Sequence, residues 1–148
     1  MSKYDLKHKL KKSLLYSLSK ERGRAKLKKQ EFSLFLDQYF SFLSEDELAL
    51  KDPKSLYQLA KAHWDFAKAI KYPAIKVKVF NPSVGVDGWS SAHTVVQIVV
   101  KDMPFLVDSV TANLAQSGIT VLQVTHPILR SQRGKDGSLK EILSKETS

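Results

Sequence analysis

A chain of 148 residues, 43% of them hydrophobic, is long enough to bury one ordinary core, and it contains no apolar run approaching the roughly 20 residues that span a bilayer. The absence of cysteine excludes disulfides, thiolate nucleophiles and Cys-ligated zinc. The formal net charge of +9 is concentrated in residues 1–30, whereas residues 31–148 are balanced, so the charge marks one basic segment and not a nucleic-acid-binding surface of the whole chain. No secretory apolar segment follows the basic start, which makes the cytoplasm the expected setting and argues against a membrane role.

From Tyr4 to Leu18, leucines at 6, 10, 14 and 18 stand among lysines, the pattern of an amphipathic helix with a narrow apolar stripe that must dock on something. A bend is expected at Gly23, so the basic helix is read as 1–22. Lys28–Leu43 predicts a second helix with Phe32, Phe35, Leu36, Tyr39 and Leu43 at 3/4 spacing, and such an aromatic stripe is core material rather than a cofactor box. Ser44 and Glu47 match a capping box that opens a short helical turn. Asp52-Pro53 starts a third helix, 53–71, with Leu56, Leu59, Ala60, His63, Ala67 and Ile70 down one face. His63 has no partner at ligand spacing and reads as a structural histidine.

After Tyr72-Pro73 the register changes to period two. Ile75, Val77 and Val79 alternate with Lys76 and Lys78, predicting a strand with a solvated lysine face. A loop of about 12 residues, with Trp89 as its anchor, leads to Thr94–Val100, where six of seven residues are β-branched. This strand runs into a helix: Asp102 is the expected cap, Pro104 the first helical residue, Leu106, Val110 and Leu114 the buried stripe, and Ser117-Gly118 the stop. Everything beyond Pro73 is expected to pack on this strand–helix unit. Ile119–Leu129 reads as a third strand, and Lys135-Asp136-Gly137 as the turn into Leu139–Leu143.

The predicted fold class is therefore α+β. A helical lead-in over 1–72 precedes a module over 74–148 with a partial ferredoxin-like βαββ order and one extra preceding strand, lacking a last helix and strand. The turn DMPF, between a β-branched strand and an amphipathic helix, resembles the ligand-binding turn of ACT regulatory domains, which commonly sense amino acids.

A wider set of residues, FNPSVGVDGWSSAHTVVQIVVKDMPFLVDSV followed by THPILRSQRGKDG and preceded by SEDELALKDPKSLYQLAKAHWDFA, resembles the N-terminal region of the large bacterial NAD-specific glutamate dehydrogenases, with residues from about Leu34 to Gly137 matching. That resemblance implies a parent enzyme that converts L-glutamate to 2-oxoglutarate and ammonia with NAD. It also implies that the chemistry lies in downstream domains, since no G-x-G-x-x-G, P-loop or nucleophile constellation stands here. The fragment is expected to be a non-catalytic regulatory or assembly piece that binds neither NAD nor a metal itself. Its expected partners are downstream domains of the same chain, further copies in a homo-oligomer and a small amino-acid effector. The ligand-site candidates are Asp102, Met103, Pro104 and Phe105 at the turn, with His126 at the end of the third strand. Asp108 and Ser109, in the first helical turns, are adequately explained as structural. The alternatives are an oligomerisation scaffold without a ligand and a nucleic-acid module using the basic helix.

Overall fold

The aromatic stripe and the helix after Pro53 close on each other and form the core. The computed structural model describes residues 8–14, 16, 25–42, 52–68 and 75–144. Helix α1 (Ala25–Tyr39) runs into a 3-10 turn at Phe40–Phe42, and helix α2 spans Pro53–Lys68. Phe32, Phe35 and Tyr39 stack along α1 at centroid separations of 5.8 and 5.1 Å, while Trp64 of α2 lies 5.1 Å from Phe35. Offset and edge-on pairs at these distances add to the area the rings bury. Residues 8–14 are helical, and their Leu10 and Leu14 enter the same core, so this part of the leucine stripe finds the apolar partner it requires. Lys11 reinforces the docking with an ion pair to Asp37 at 2.6 Å. The expected bend at Gly23 and the capping box at Ser44–Glu47 lie outside the described residues.

Asp52 caps α2 as its residue type predicts, accepting from the Ser55 N–H at 2.9 Å. Hydrogen bonds from the Ser55 backbone and hydroxyl hold its carboxyl below the ordinary carboxylate range.

Beyond α2, strand β1 (Lys76–Phe80) pairs antiparallel with β2 (Val95–Val99), with Val77 opposite Ile98 and Val79 opposite Val96. The intervening loop carries a one-turn helix α3 (Val84–Asp87), which ends on Gly88 in the left-handed conformation (φ 76°). Thr94 donates to Asn81 across the mouth of the loop at 2.8 Å. Trp89 is buried edge-on against Phe80, which bears out its reading as the loop anchor. Helix α4 (Leu106–Gln116) follows β2. It ends on Gly118 (φ 74°), with the Ile119 N–H bonded to the Leu114 carbonyl at 2.9 Å, the expected glycine stop. Strands β3 (Ser131–Arg133) and β4 (Leu139–Ile142) form a second antiparallel pair around the predicted Asp136-Gly137 turn, where Asp136 accepts from Ser138. The fold is mixed helix and strand, as predicted.

Four expectations change. The lysine face of β1 is solvated only at Lys78, which is exposed: Lys76 is half-buried, its ammonium 4.5 Å from the Phe66 ring centroid and donating to the Phe66 carbonyl at 3.4 Å, while Val77 and Val79 on the other face are exposed. A lysine can do this because its four-carbon stem packs on apolar surface and carries the charge to an aromatic face and a carbonyl. Ile119–Leu129 forms no ladder, and residues 119–130 carry no regular secondary structure. The strands therefore make two separate two-stranded sheets instead of one. Finally, the module does not gather around β2 and α4. Helix α4 has no fully buried residue, and the C-terminal hairpin instead closes the helical core through Ile142, with Leu129 and Leu139 beside it.

Two polar side chains fix that hairpin in place. Gln38, buried on α1, accepts from the Arg130 N–H at 2.7 Å and donates to the Leu143 carbonyl at 2.8 Å. Arg133 donates to the Ala67 carbonyl in the last turn of α2 at 3.2 Å and to the Gly137 carbonyl at 2.9 Å. The positive charge thus sits where the helix dipole favours it.

Candidate functional site

The turn between β2 and α4 is built differently from its sequence reading. Helix α4 begins at Leu106 and its N-cap is Phe105, which makes no side-chain cap bond and stands at φ 61°. Asp102 is therefore not the cap, and Pro104 is not the first helical residue. Two residues, Pro104 and Phe105, form a turn that carries the chain past the position where Asp102 could reach the free N–H groups of the first helical turn. Phe105 is the one non-glycine residue with positive φ among the described residues, a conformation uncommon for a bulky side chain. The residue is 77% exposed. Asp102, Met103 and Pro104 are exposed too, and His126 is half-buried.

None of these five residues lines either of two depressions on the described surface. The larger, about 690 Å³, is a shallow groove along the small-residue side of α4, with Asp108, Thr111 and Thr120 as its polar residues and Ala112, Ala115 and Val121 among its apolar ones. The smaller, about 180 Å³, lies where α2 begins and holds Lys54, Ser55, Gln58, Gly88, Trp89 and Ser90. Neither gathers the opposed charged groups that fix a small zwitterionic ligand. Among the described residues no group of three His, Asp or Glu side chains is placed to hold a metal ion.

A titratable pair in the described core is structural. The Tyr39 hydroxyl lies 2.5 Å from His63 Nδ1, and a neutral imidazole can accept from the phenol there. Burial pushes the His63 pKa down to about 4 and the Tyr39 phenol above its ordinary range, so both are uncharged near neutrality. This agrees with His63 as a satisfied core histidine.

The surface offers extensive apolar area in place of a polar cavity. On one side of the β1–β2 hairpin, Val77, Val79 and Val96 are 55%, 63% and 43% exposed. Ile119, Val121, Leu122 and Val124 lie open on the unpaired stretch after α4. Sequence reasoning missed Gln38 and Arg133, the residues that position the C-terminal hairpin. Gln38 stands three residues after Phe35 and four after Leu34, a polar residue at a core-facing spacing, and that was the signal available.

The family model for the glutamate dehydrogenase ACT1 domain matches residues 35–148, more than three quarters of the chain. The chain belongs to that family. It is 34% identical over 144 residues to the NAD-specific glutamate dehydrogenase of Pseudomonas aeruginosa and 32% identical over 130 residues to that of Halomonas elongata. These alignments cover 97% and 86% of this chain but only 8% of each relative, so the ACT1 chain spans a small part of the curated relatives it matches. No solved structure matches it. No described helix of the ACT1 chain is long and apolar enough to cross a membrane.

Proposed function

We propose that this chain is an assembly domain of an NAD-specific glutamate dehydrogenase, holding the enzyme's parts together while oxidative deamination of L-glutamate takes place in other domains. The observation that carries the proposal is the open aliphatic surface of the hairpin and of residues 119–124. A family member that leaves so much apolar side chain uncovered is suited to burial against protein. NAD is then the cofactor of the parent enzyme, and the cytoplasm, where central nitrogen metabolism runs, its setting. The test is to remove residues 1–148 from the full-length parent and to measure NAD affinity and subunit mass. NAD binding should persist and the native assembly should be lost. A truncated enzyme with unchanged mass, thermal stability and turnover would sink the proposal.

A regulatory reading is favoured by one observation, the uncovered turn at Asp102–Phe105 with its left-handed Phe105. Strained, exposed backbone of this kind is found at ligand clamps and switches. An amino acid could place its carboxylate at the start of α4, where the helix dipole is positive, and its ammonium against Asp102. Titrating amino acids into the full-length parent and its Asp102→Ala variant tests this. Equal binding and equal activation by both would remove the turn from any mechanism.

A further inference from the structure

The loop between β1 and β2 strands a hydrogen-bond donor. Trp89 is buried, at 9% exposure, edge-on against Phe80, and its indole N–H has no hydrogen-bond partner. Among the described residues, the Gln97 amide is the other buried group in this state. Buried polar groups are almost always paired, because taking a donor out of water without giving it an acceptor is costly. A phenylalanine at position 89 would anchor the loop on Phe80 without that cost, so the N–H is what the indole adds.

Trp89 also stands in the wall of the smaller depression, about 180 Å³, where the loop after α3 meets the first turns of α2. Gly88 lets the two approach each other: its backbone is left-handed, and a Cβ there would stand 3.3 Å from Gln58 Oε1. The other polar groups of the wall are the Lys54 ammonium, the hydroxyls of Ser55 and Ser90 and the Gln58 amide, with no carboxylate among them. Val84 and the indole itself supply the apolar part.

The N-terminus of α2 is not what would attract a ligand here, since Asp52 already caps it. Its carboxylate accepts from the Ser55 N–H at 2.9 Å and from the Ser55 hydroxyl at 3.0 Å. That carboxylate also limits the charge the site tolerates. Lys54 brings one positive charge and Asp52 stands behind Ser55, so a doubly charged phosphate meets repulsion that a single charge shared with a neutral indole donor largely escapes. A zwitterion finds no carboxylate in the wall for its ammonium. We infer that this depression binds a small monocarboxylate, one oxygen accepting from Trp89 Nε1–H, the charge facing Lys54 and a short hydrocarbon tail lying on Val84. Its volume lies below the roughly 300 Å³ at which ordinary ligand pockets begin, which restricts the ligand to a few heavy atoms. The site is separate from the Asp102–Phe105 turn, and an assembly role neither requires nor excludes it.

The indole N–H itself reports the binding. In proton–nitrogen correlation spectra the chain's two tryptophans, Trp64 and Trp89, give two indole signals, and through-space contacts to the Phe80 ring assign that of Trp89. Sodium butyrate, titrated to about 50 mM against sodium chloride at constant ionic strength, should move the Trp89 signal downfield to saturation and leave the Trp64 signal in place. Acetate should bind more weakly, for want of the hydrocarbon contact, and inorganic phosphate and glycine should give no saturable shift. Lys54→Gln, at an exposed position, should weaken butyrate binding at least about fivefold with unchanged circular dichroism. Butyrate should raise the melting temperature of wild type and not that of Trp89→Phe. A Trp89 signal that fails to saturate, an equal response to phosphate, or an unchanged butyrate affinity in Lys54→Gln overturns the inference. The Lys54 variant keeps the test decisive even if Trp89→Phe fails to fold.

Discussion

Lowering the pH from 7 to 5 should destabilise this protein through His63, and the effect can be sized from the structure. The imidazole sits in the aromatic core beside Tyr39, and burial brings its pKa from 6.5 down to about 4. The unfolded chain therefore takes up a proton on His63 at a higher pH than the folded chain does. Stability from this group is fully present above pH 6.5, falls as the pH drops toward 4, and is level below that. A difference of 2.5 pKa units has an upper limit of about 3.4 kcal/mol, of which about 2 kcal/mol is lost by pH 5. The assay is urea unfolding followed by far-UV circular dichroism at pH 7 and pH 5, in wild type and in His63→Gln, whose carbonyl can still accept from Tyr39. Wild type should lose about 2 kcal/mol across the interval and the variant clearly less. Equal unfolding free energies at both pH values in wild type, or the same loss in His63→Gln, would refute the reasoning.

Three further substitutions probe the joints of the fold. Gln38→Ala removes both hydrogen bonds that tie the C-terminal hairpin to α1, each part-buried, at a cost of about 1 to 3 kcal/mol in chemical denaturation. Ile142→Ala, which opens a hole where that hairpin enters the helical core, should cost about 2 to 5 kcal/mol and lower the melting temperature accordingly. Gly118→Ala meets no atom within 4 Å but must adopt φ near 74°, so about 1 kcal/mol of purely conformational destabilisation is expected, with no change in the spectrum of the folded state.

The helices were legible because their signals are local. Asp52-Pro53 announces α2, Gly118 closes α4, and the aromatic stripe from Phe32 to Tyr39 identifies the core before any partner is known. The family was legible for a different reason, through spaced motifs such as DMPFLVDS that no periodicity argument would single out. Asp102 misled because a cap residue is recognised by type, while its role depends on where the helix begins. Two residues of turn, ending in a left-handed Phe105, were enough to move it out of reach. Ile119–Leu129 misled because alternating aliphatic residues show only that a stretch would suit a sheet, not that a neighbouring strand is there to pair with it.

The inverted face of β1 shows where such reasoning ends and tertiary packing begins. Alternation divides a strand into two sides, and hydrophobicity then suggests which side is inside. The structure decides the matter by what α2 presents to the hairpin, which includes the ring and carbonyl of Phe66, and both attract an ammonium with an aliphatic stem. Gln97, directly across from Lys78 in the ladder, is buried on that same side at 4% exposure, so both strands turn their more polar side toward the helices. The consequence is energetic as well as geometric. Each exposed valine or isoleucine forgoes about 1.5 to 3 kcal/mol that full burial would supply. A surface of several such residues on one two-stranded sheet, which on its own is marginally stable in water, is best satisfied when a second apolar layer covers it. The two sides of the hairpin thus differ in what they meet: the helices take the side that can hydrogen-bond to them, and the aliphatic side is left open.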